Sequence, residues 1–271
     1  MNAGRQDPLA ALRQVLAHAG RSVLYSSEFL HSFDPERMRR VVEIATAEGY
    51  DTKIIFYVRS IAGHAYSAYI QAIKRHKFAG DFLSYLDKYN NRFATVIAKA
   101  KSVVGRRNLM VRNYDAARGD IVGDFLGALG IPADGLDKTG EVNRSLTAYE
   151  AEFLRHMNAH LADRYQSSRL SDALMINASP NIKRHAVISA AEKAILEERC
   201  GGDIETINSH ISGPGIGLMD SGITVSDRPA VEFSEFERCV IAILAELTPL
   251  RPEKPSTAPP PAAGSACRVP C

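Results

Sequence analysis

The chain lacks tryptophan, which by itself excludes nothing, and its other shortages say more. Four cysteines, Cys200, Cys239, Cys267 and Cys271, stand in 271 residues with no CxxC pair. That pattern argues against a thiolate zinc site and suits a reducing cytosol. No apolar run approaches the roughly 20 residues that span a bilayer. No charged n-region followed by a short apolar stretch opens the chain, so a secretory signal is not expected and a cytoplasmic location is. The net charge is only +2, too small an excess to point to a nucleic-acid partner. No GxxxxGK followed by Ser or Thr occurs, which disfavours a P-loop kinase-like enzyme. What remains is ordinary globular material: 45% hydrophobic and 24% charged residues, enough for one substantial core.

The most informative stretch is KIIFYVRSIAGHAYSAYIQAIK, Lys53 to Lys74. Ile54 to Val58 is an unbroken β-branched and aromatic run, the signature of a parallel strand buried on both faces. Arg59 stands where that strand ends. A helical pattern follows, with Tyr66, Tyr69, Ile70 and Ile73 on one face and Ser67, Gln71 and Lys74 on a polar one. In open α/β sheets ligands bind beyond the carboxyl ends of the strands. A guanidinium fork beside a helix N-terminus suits an anion such as phosphate. The same Arg also reads as a solvated edge residue or a salt-bridge partner, and the residue types alone leave these open.

Around this stretch, strands and helices alternate over residues 8–130. Asp7-Pro8 and Asp34-Pro35 are cap-and-proline starts for two helices that stop at Gly20 and Gly49. A strand is expected over Ser22–Tyr25, and a third over Leu109–Val111 ending in Arg112, Tyr114 and Asp115. Asp81 to Ala100 has one continuous helical pattern, and Asp120–Leu129 has another. Thr147-x-x-Glu150, Ser189-x-x-Glu192 and Ser234-x-x-Glu237 are capping boxes for later helices. GPGIGLMD, Gly213 to Asp220, lacks GxGxxG spacing and a preceding strand, so it reads as a flexible turn. The expectation is a three-layer α/β domain over residues 1–248, with a mainly parallel sheet and a helical C-terminal half. Residues 249–271, rich in Pro, Ala and Ser, are expected to form a disordered tail.

Arg59, Ser67 eight residues later and Tyr69, on a strand-loop-helix, resemble the 3′-phosphate motif of bacterial sulfotransferase-like proteins that use 3′-phosphoadenosine 5′-phosphosulfate. VLYSSEF (Val23–Phe29), LMVRNYD (Leu109–Asp115), GDIVGDFLGALGI (Gly119–Ile131) and VNRSLTAYEAEFLRHMN (Val142–Asn158) are similar to family segments in the same order, over roughly residues 8–220. The resemblance implies a P-loop NTPase-like sulfotransferase fold and transfer of a sulfuryl group to a hydroxyl, of carbohydrate type. It implies Arg59 and Ser67 as the 3′-phosphate ligands, and no metal. Glu28, near the end of the expected Ser22–Tyr25 strand, is the candidate general base; the alternative is a capping or salt-bridged Glu. His31 and His64 are lesser candidates.

One departure stands out. The family's GxxKTGTT-like loop, which holds the 5′-phosphosulfate, is missing. Lys138–Gly140 reads KTG, but it follows a turn-rich stretch rather than a strand. The expectation is therefore either a start assigned too late or a degenerate relative: a non-catalytic scaffold that keeps the 3′-phosphate half-site.

Overall fold

The computed structural model describes residues 8–20, 22–132, 145–176, 186–220 and 222–228, and then 231–235, 237–238, 240–241 and 244. The Lys138–Gly140 turn, the Asp7 cap and the 249–271 tail lie outside the described residues.

The architecture is mixed α/β and mostly helical. In chain order come α1 (Pro8–Ala19), a 3-10 turn (Glu28–Ser32), α2 (Pro35–Ala47), β1 (Ile54–Val58), α3 (Ile61–His76), α4 (Phe82–Leu86), α5 (Phe93–Val104) and β2 (Leu109–Asn113). Then follow α6 (Tyr114–Ala117), α7 (Ile121–Leu129), α8 (Ala148–His160), α9 (Arg164–Ile176), β3 (Ala186–Ile188), α10 (Ala190–Asn208) and β4 (Ile223–Val225).

β1 and β2 pair in parallel, Ile54 against Leu109 through Val58 against Asn113. The chain at Ile211 adds one parallel bridge to Val111. β3 and β4 form a second, separate parallel pair. Among the described residues, two small parallel sheets thus replace the single extended one expected from the sequence. β1 forms where expected, but it is an edge strand among the described residues, and only Val58 is fully buried. A strand flanked on one side cannot be covered as a central strand is. The expected Ser22–Tyr25 strand does not form. Residues 22–27 are irregular, and Val23, Leu24 and Tyr25 are 40%, 61% and 66% exposed. An apolar run of three residues gains little as an extended segment without a ladder partner.

The expected Asp81–Ala100 helix is broken into α4 and α5. Asn91 Oδ1 accepts from the Phe93 amide at 2.8 Å, a local side-chain bond that competes with continued helix. Lys74, expected on the polar face, is 7% exposed and buried, whereas Ser67 and Gln71 are exposed as expected. Both capping boxes at Thr147/Glu150 and Ser189/Glu192 close reciprocally. Ser234 and Glu237 exchange the same pair of bonds at 2.8 and 3.3 Å.

α3 is the central element, packed against α4, α8, α9 and α10. Val58, Ile61, Ala62, Ala65 and Ile73 are wholly buried, and they meet Val111, Leu154, Leu196 and Ile207 in one core cluster. The far end of α3 is tied down by buried polar groups. Asn158 on α8 donates to the carbonyls of Ile73 and Phe78 at 2.9 and 3.0 Å, and Ser167 on α9 donates to Ile73 O at 3.1 Å. The bonds to Ile73 O satisfy a carbonyl that the C-terminus of α3 leaves open, and the bond to Phe78 O holds the chain just beyond it. Replacing Asn158 by Leu removes both of its bonds and strands the Phe78 carbonyl. The expected loss is about 2 kcal/mol of stability, read as a lowered urea midpoint at unchanged slope.

Candidate functional site

Three pieces of chain that are distant in sequence meet where β1 ends. Arg59 follows Val58, and Ser60 is the N-cap of α3, its hydroxyl accepting from the Gly63 amide at 3.2 Å. Parallel pairing sets Asn113 beside Val58, so the turn into α6 brings Asp115 alongside. Asp115 Oδ2 accepts from the Ser60 amide at 2.6 Å, and its Oδ1 lies 3.6 Å from Arg59 Nε. At 3.6 Å that contact is Coulombic rather than a hydrogen bond, and both atoms are buried without a hydrogen-bond partner.

The third piece comes from beyond α10. Ser212 N donates to Val111 O at 3.2 Å, which lays the chain beside β2. Asn208 holds Ile216 by two bonds, 2.7 and 3.0 Å, and Asn113 donates to Gly215 O at 2.8 Å. Gly217 O then accepts from Ile61 N at 3.3 Å and Leu218 O from Ala62 N at 2.8 Å. Asp220 Oδ2 accepts from Ser60 Oγ at 2.7 Å and sits 3.3 Å from Arg59 Nη2. Its other oxygen takes the Gly222 amide at 2.6 Å. The Gly213–Asp220 stretch is thus a loop, as its composition indicates, but one fixed by specific contacts.

The first-turn donors of α3 are therefore all engaged. Ile61 and Ala62 bind loop carbonyls, Gly63 binds its own cap, and His64 N donates to Ser60 O at 2.9 Å. Gly63 is required here, because a Cβ at that position stands 2.4 Å from Asp220 Oδ2 and 2.7 Å from Arg59 Nη2. The Arg59 guanidinium lies 5.5 Å from the Tyr114 ring centroid, a cation–π contact. Burial works to raise the Asp220 pKa, yet the Ser60 hydroxyl, the Gly222 amide and Arg59 together bring it below the usual carboxylate value. At neutral pH the corner holds an ionised carboxylate on its guanidinium.

The sequence-predicted residues are arranged unevenly around this corner. Arg59 is at the centre, half-buried, and paired to carboxylates. Ser67 is exposed, seven residues along α3 from Ser60 and so on the same face about 10 Å away. Glu28 belongs to a 3-10 turn rather than a strand end, and its side chain lies outside the described atoms. His31 offers its main-chain carbonyl to Lys99 at 3.2 Å. His64 packs 4.7 Å from the Phe93 ring, with Nδ1 2.8 Å from the Tyr89 hydroxyl. Ser60, Asp115 and Asp220 were missed by the sequence reading. Asp115 carried a weak signal as a strand-end acid, and Asp220 carried none, being 161 residues from Arg59.

A cavity of about 320 Å³ lies elsewhere, walled by Tyr66, Tyr69, Phe82, Glu152, Arg155 and Glu192. Its acids are committed to the fold. Glu152 chelates Arg155 and Glu192 closes the α10 capping box, while Asp81 at its edge caps α4. Among the described residues no group of three or more His, Cys, Asp or Glu side chains is placed to hold a metal ion, and no helix is long and apolar enough to cross a membrane.

Arg59→Ala leaves Asp115 and Asp220 facing each other without a counter-charge, so stability should fall by about 3 kcal/mol in urea titration. His64 is held down to about 4, chiefly by burial and secondarily by the Arg59 charge. The unfolded chain then binds the extra proton first, and stability is lost as pH falls from about 6.5 towards 4. The loss is on the order of 2 kcal/mol between pH 7 and 4.5. His64→Gln should flatten the urea midpoint over that window; an unchanged slope contradicts the assignment.

Comparisons of the chain with models of known protein families, with curated proteins and with solved structures find no match.

Proposed function

We propose that the chain is a sulfotransferase-like protein of the P-loop NTPase-like sulfotransferase fold, which binds 3′-phosphoadenosine 5′-phosphosulfate through its 3′-phosphate at the β1–α3 corner. Arg59 supplies the guanidinium, Ser60 and the first amides of α3 supply neutral donors, and Ser67 lies further along the same helix face. The observation that carries this reading is that the corner already holds an oxyanion: the Asp220 carboxylate sits on Arg59 and Ser60 at the head of α3. Donors that suit a carboxylate also suit a phosphate oxygen.

The reaction is sulfuryl transfer to a hydroxyl, of carbohydrate type. The acceptor oxygen forms a bond to sulfur while the bond from sulfur to the 5′-phosphate oxygen breaks. The leaving 3′-phosphoadenosine 5′-phosphate keeps that electron pair. The acceptor proton passes to a general base, a role assigned to Glu28.

A second reading, binding without turnover, is favoured by a separate observation. Arg59 already faces two carboxylates, and the amides of Ile61 and Ala62 already have main-chain partners. This is the degenerate scaffold with the 3′-phosphate half-site alone. Both readings require the nucleotide to bind; only the first requires product.

Calorimetry with 3′-phosphoadenosine 5′-phosphate tests the shared part. Arg59→Lys keeps a positive charge between Asp115 and Asp220 but loses the fork. It should retain most of the stability that Arg59→Ala loses, yet bind the nucleotide about ten- to a hundredfold more weakly. Equal affinity in wild type and Arg59→Lys contradicts a bidentate phosphate contact. Labelled sulfuryl donor with a panel of sugars then separates transfer from binding.

A further inference from the structure

One short segment holds nearly every donor that a phosphate at the corner requires. Gly217 O and Leu218 O occupy the Ile61 and Ala62 amides. Asp220 occupies Ser60 Oγ and Arg59 Nη2. The Asp220 side chain is 9% exposed, against 25% for Arg59, so it is the more deeply buried partner of the pair.

The two carboxylates on Arg59 are held differently. Asp115 follows β2, and its Oδ2 is bonded to the Ser60 main chain, so it belongs to the sheet end. Asp220 rides on a loop. That loop is pinned at Gly215 and Ile216 by Asn113 and Asn208. Beyond Ile216, its contacts with the corner are the same bonds that an anion must break, together with the packing of Leu218 and Met219 against the core.

We propose that Gly217–Asp220 is a self-inhibitory latch, in which Asp220 closes the anion site as an internal substitute for phosphate and the nucleotide binds by displacing it. The inference rests on the nucleotide-binding reading above. A phosphate monoester brings up to two charges and three acceptor oxygens against one charge and two oxygens for the carboxylate. It takes over Arg59 Nη2, Ser60 Oγ and the freed amides together. Asp115 stays in place and keeps the guanidinium oriented. Apparent affinity is then the intrinsic affinity multiplied by the open fraction. An open state populated at roughly 1–10% makes wild-type binding about ten- to a hundredfold weaker than that of an unlatched protein.

The test is calorimetry with 3′-phosphoadenosine 5′-phosphate on wild type, Asp220→Asn and Asp115→Asn, each checked by thermal melting. Asp220→Asn keeps the shape and removes the charge, and it should bind about tenfold or more tightly than wild type. Asp115→Asn should not gain affinity. If wild type binds and folded Asp220→Asn binds equally or more weakly, the latch is overturned while the nucleotide reading stands. If neither folded protein takes up nucleotide at millimolar concentration, that reading fails and the latch with it. Should Asp220→Asn not fold, hydrogen exchange on wild type decides. The Gly222 amide, bonded to Asp220, should exchange faster with nucleotide present; unchanged or slower exchange overturns the proposal.

Discussion

The ion cluster of Arg59 with Asp115 and Asp220 is the constraint on which the rest of the corner depends. Its members come from the end of β1, the end of β2 and the loop after α10, and they are brought within 3.3 to 3.6 Å of one guanidinium. Parallel pairing of β1 and β2 is what delivers the first two to one edge. Once there, two acids and one base leave an excess negative charge that is tolerable only because α3 begins at the same point. Its N-terminal dipole and the Ser60 hydroxyl and amide share the load. Remove Arg59 and two half-buried carboxylates are left without their counterpart.

The same arrangement explains why α3 is the hub of the fold. At its N-terminus it is fixed electrostatically, and its open amides are closed by Gly217 and Leu218. At its C-terminus it is fixed by neutral buried donors, Asn158 and Ser167. Between them a nearly continuous apolar surface, from Ile61 to Ile73, meets α8, α9 and α10. A helix held at both ends by groups from elsewhere can carry a geometrically defined corner on a scaffold whose sheets, among the described residues, are only two strands wide.

Local chemistry was legible in the sequence, and long-range pairing was not. The caps at Asp34, Thr147 and Ser189 involve residues three apart and formed as read. β1 was legible from its composition, as was the position of Arg59 at its end. The Ser22–Tyr25 strand failed because strand formation needs a partner that composition does not supply. Lys74 has the polar character of its helix face but is buried, since which face a helix buries depends on neighbours contributed by α8 and α9. The link between Asp220 and Arg59 spans 161 residues and leaves no periodic or spacing signal. The glycines at 213, 215 and 217 were visible as turn residues; that the carbonyls of Gly217 and Leu218 cap a helix more than 150 residues earlier was not.

The β1–α3 corner is proposed as an anion site with a carboxylate already in it. The most direct measurement is a crystal structure of the protein grown with 3′-phosphoadenosine 5′-phosphate. The expected result is a phosphate on Arg59 and Ser60 at the head of α3, with Asp220 moved well beyond its present 3.3 Å from the guanidinium. A nucleotide bound elsewhere, with Asp220 still seated on Arg59, would contradict it.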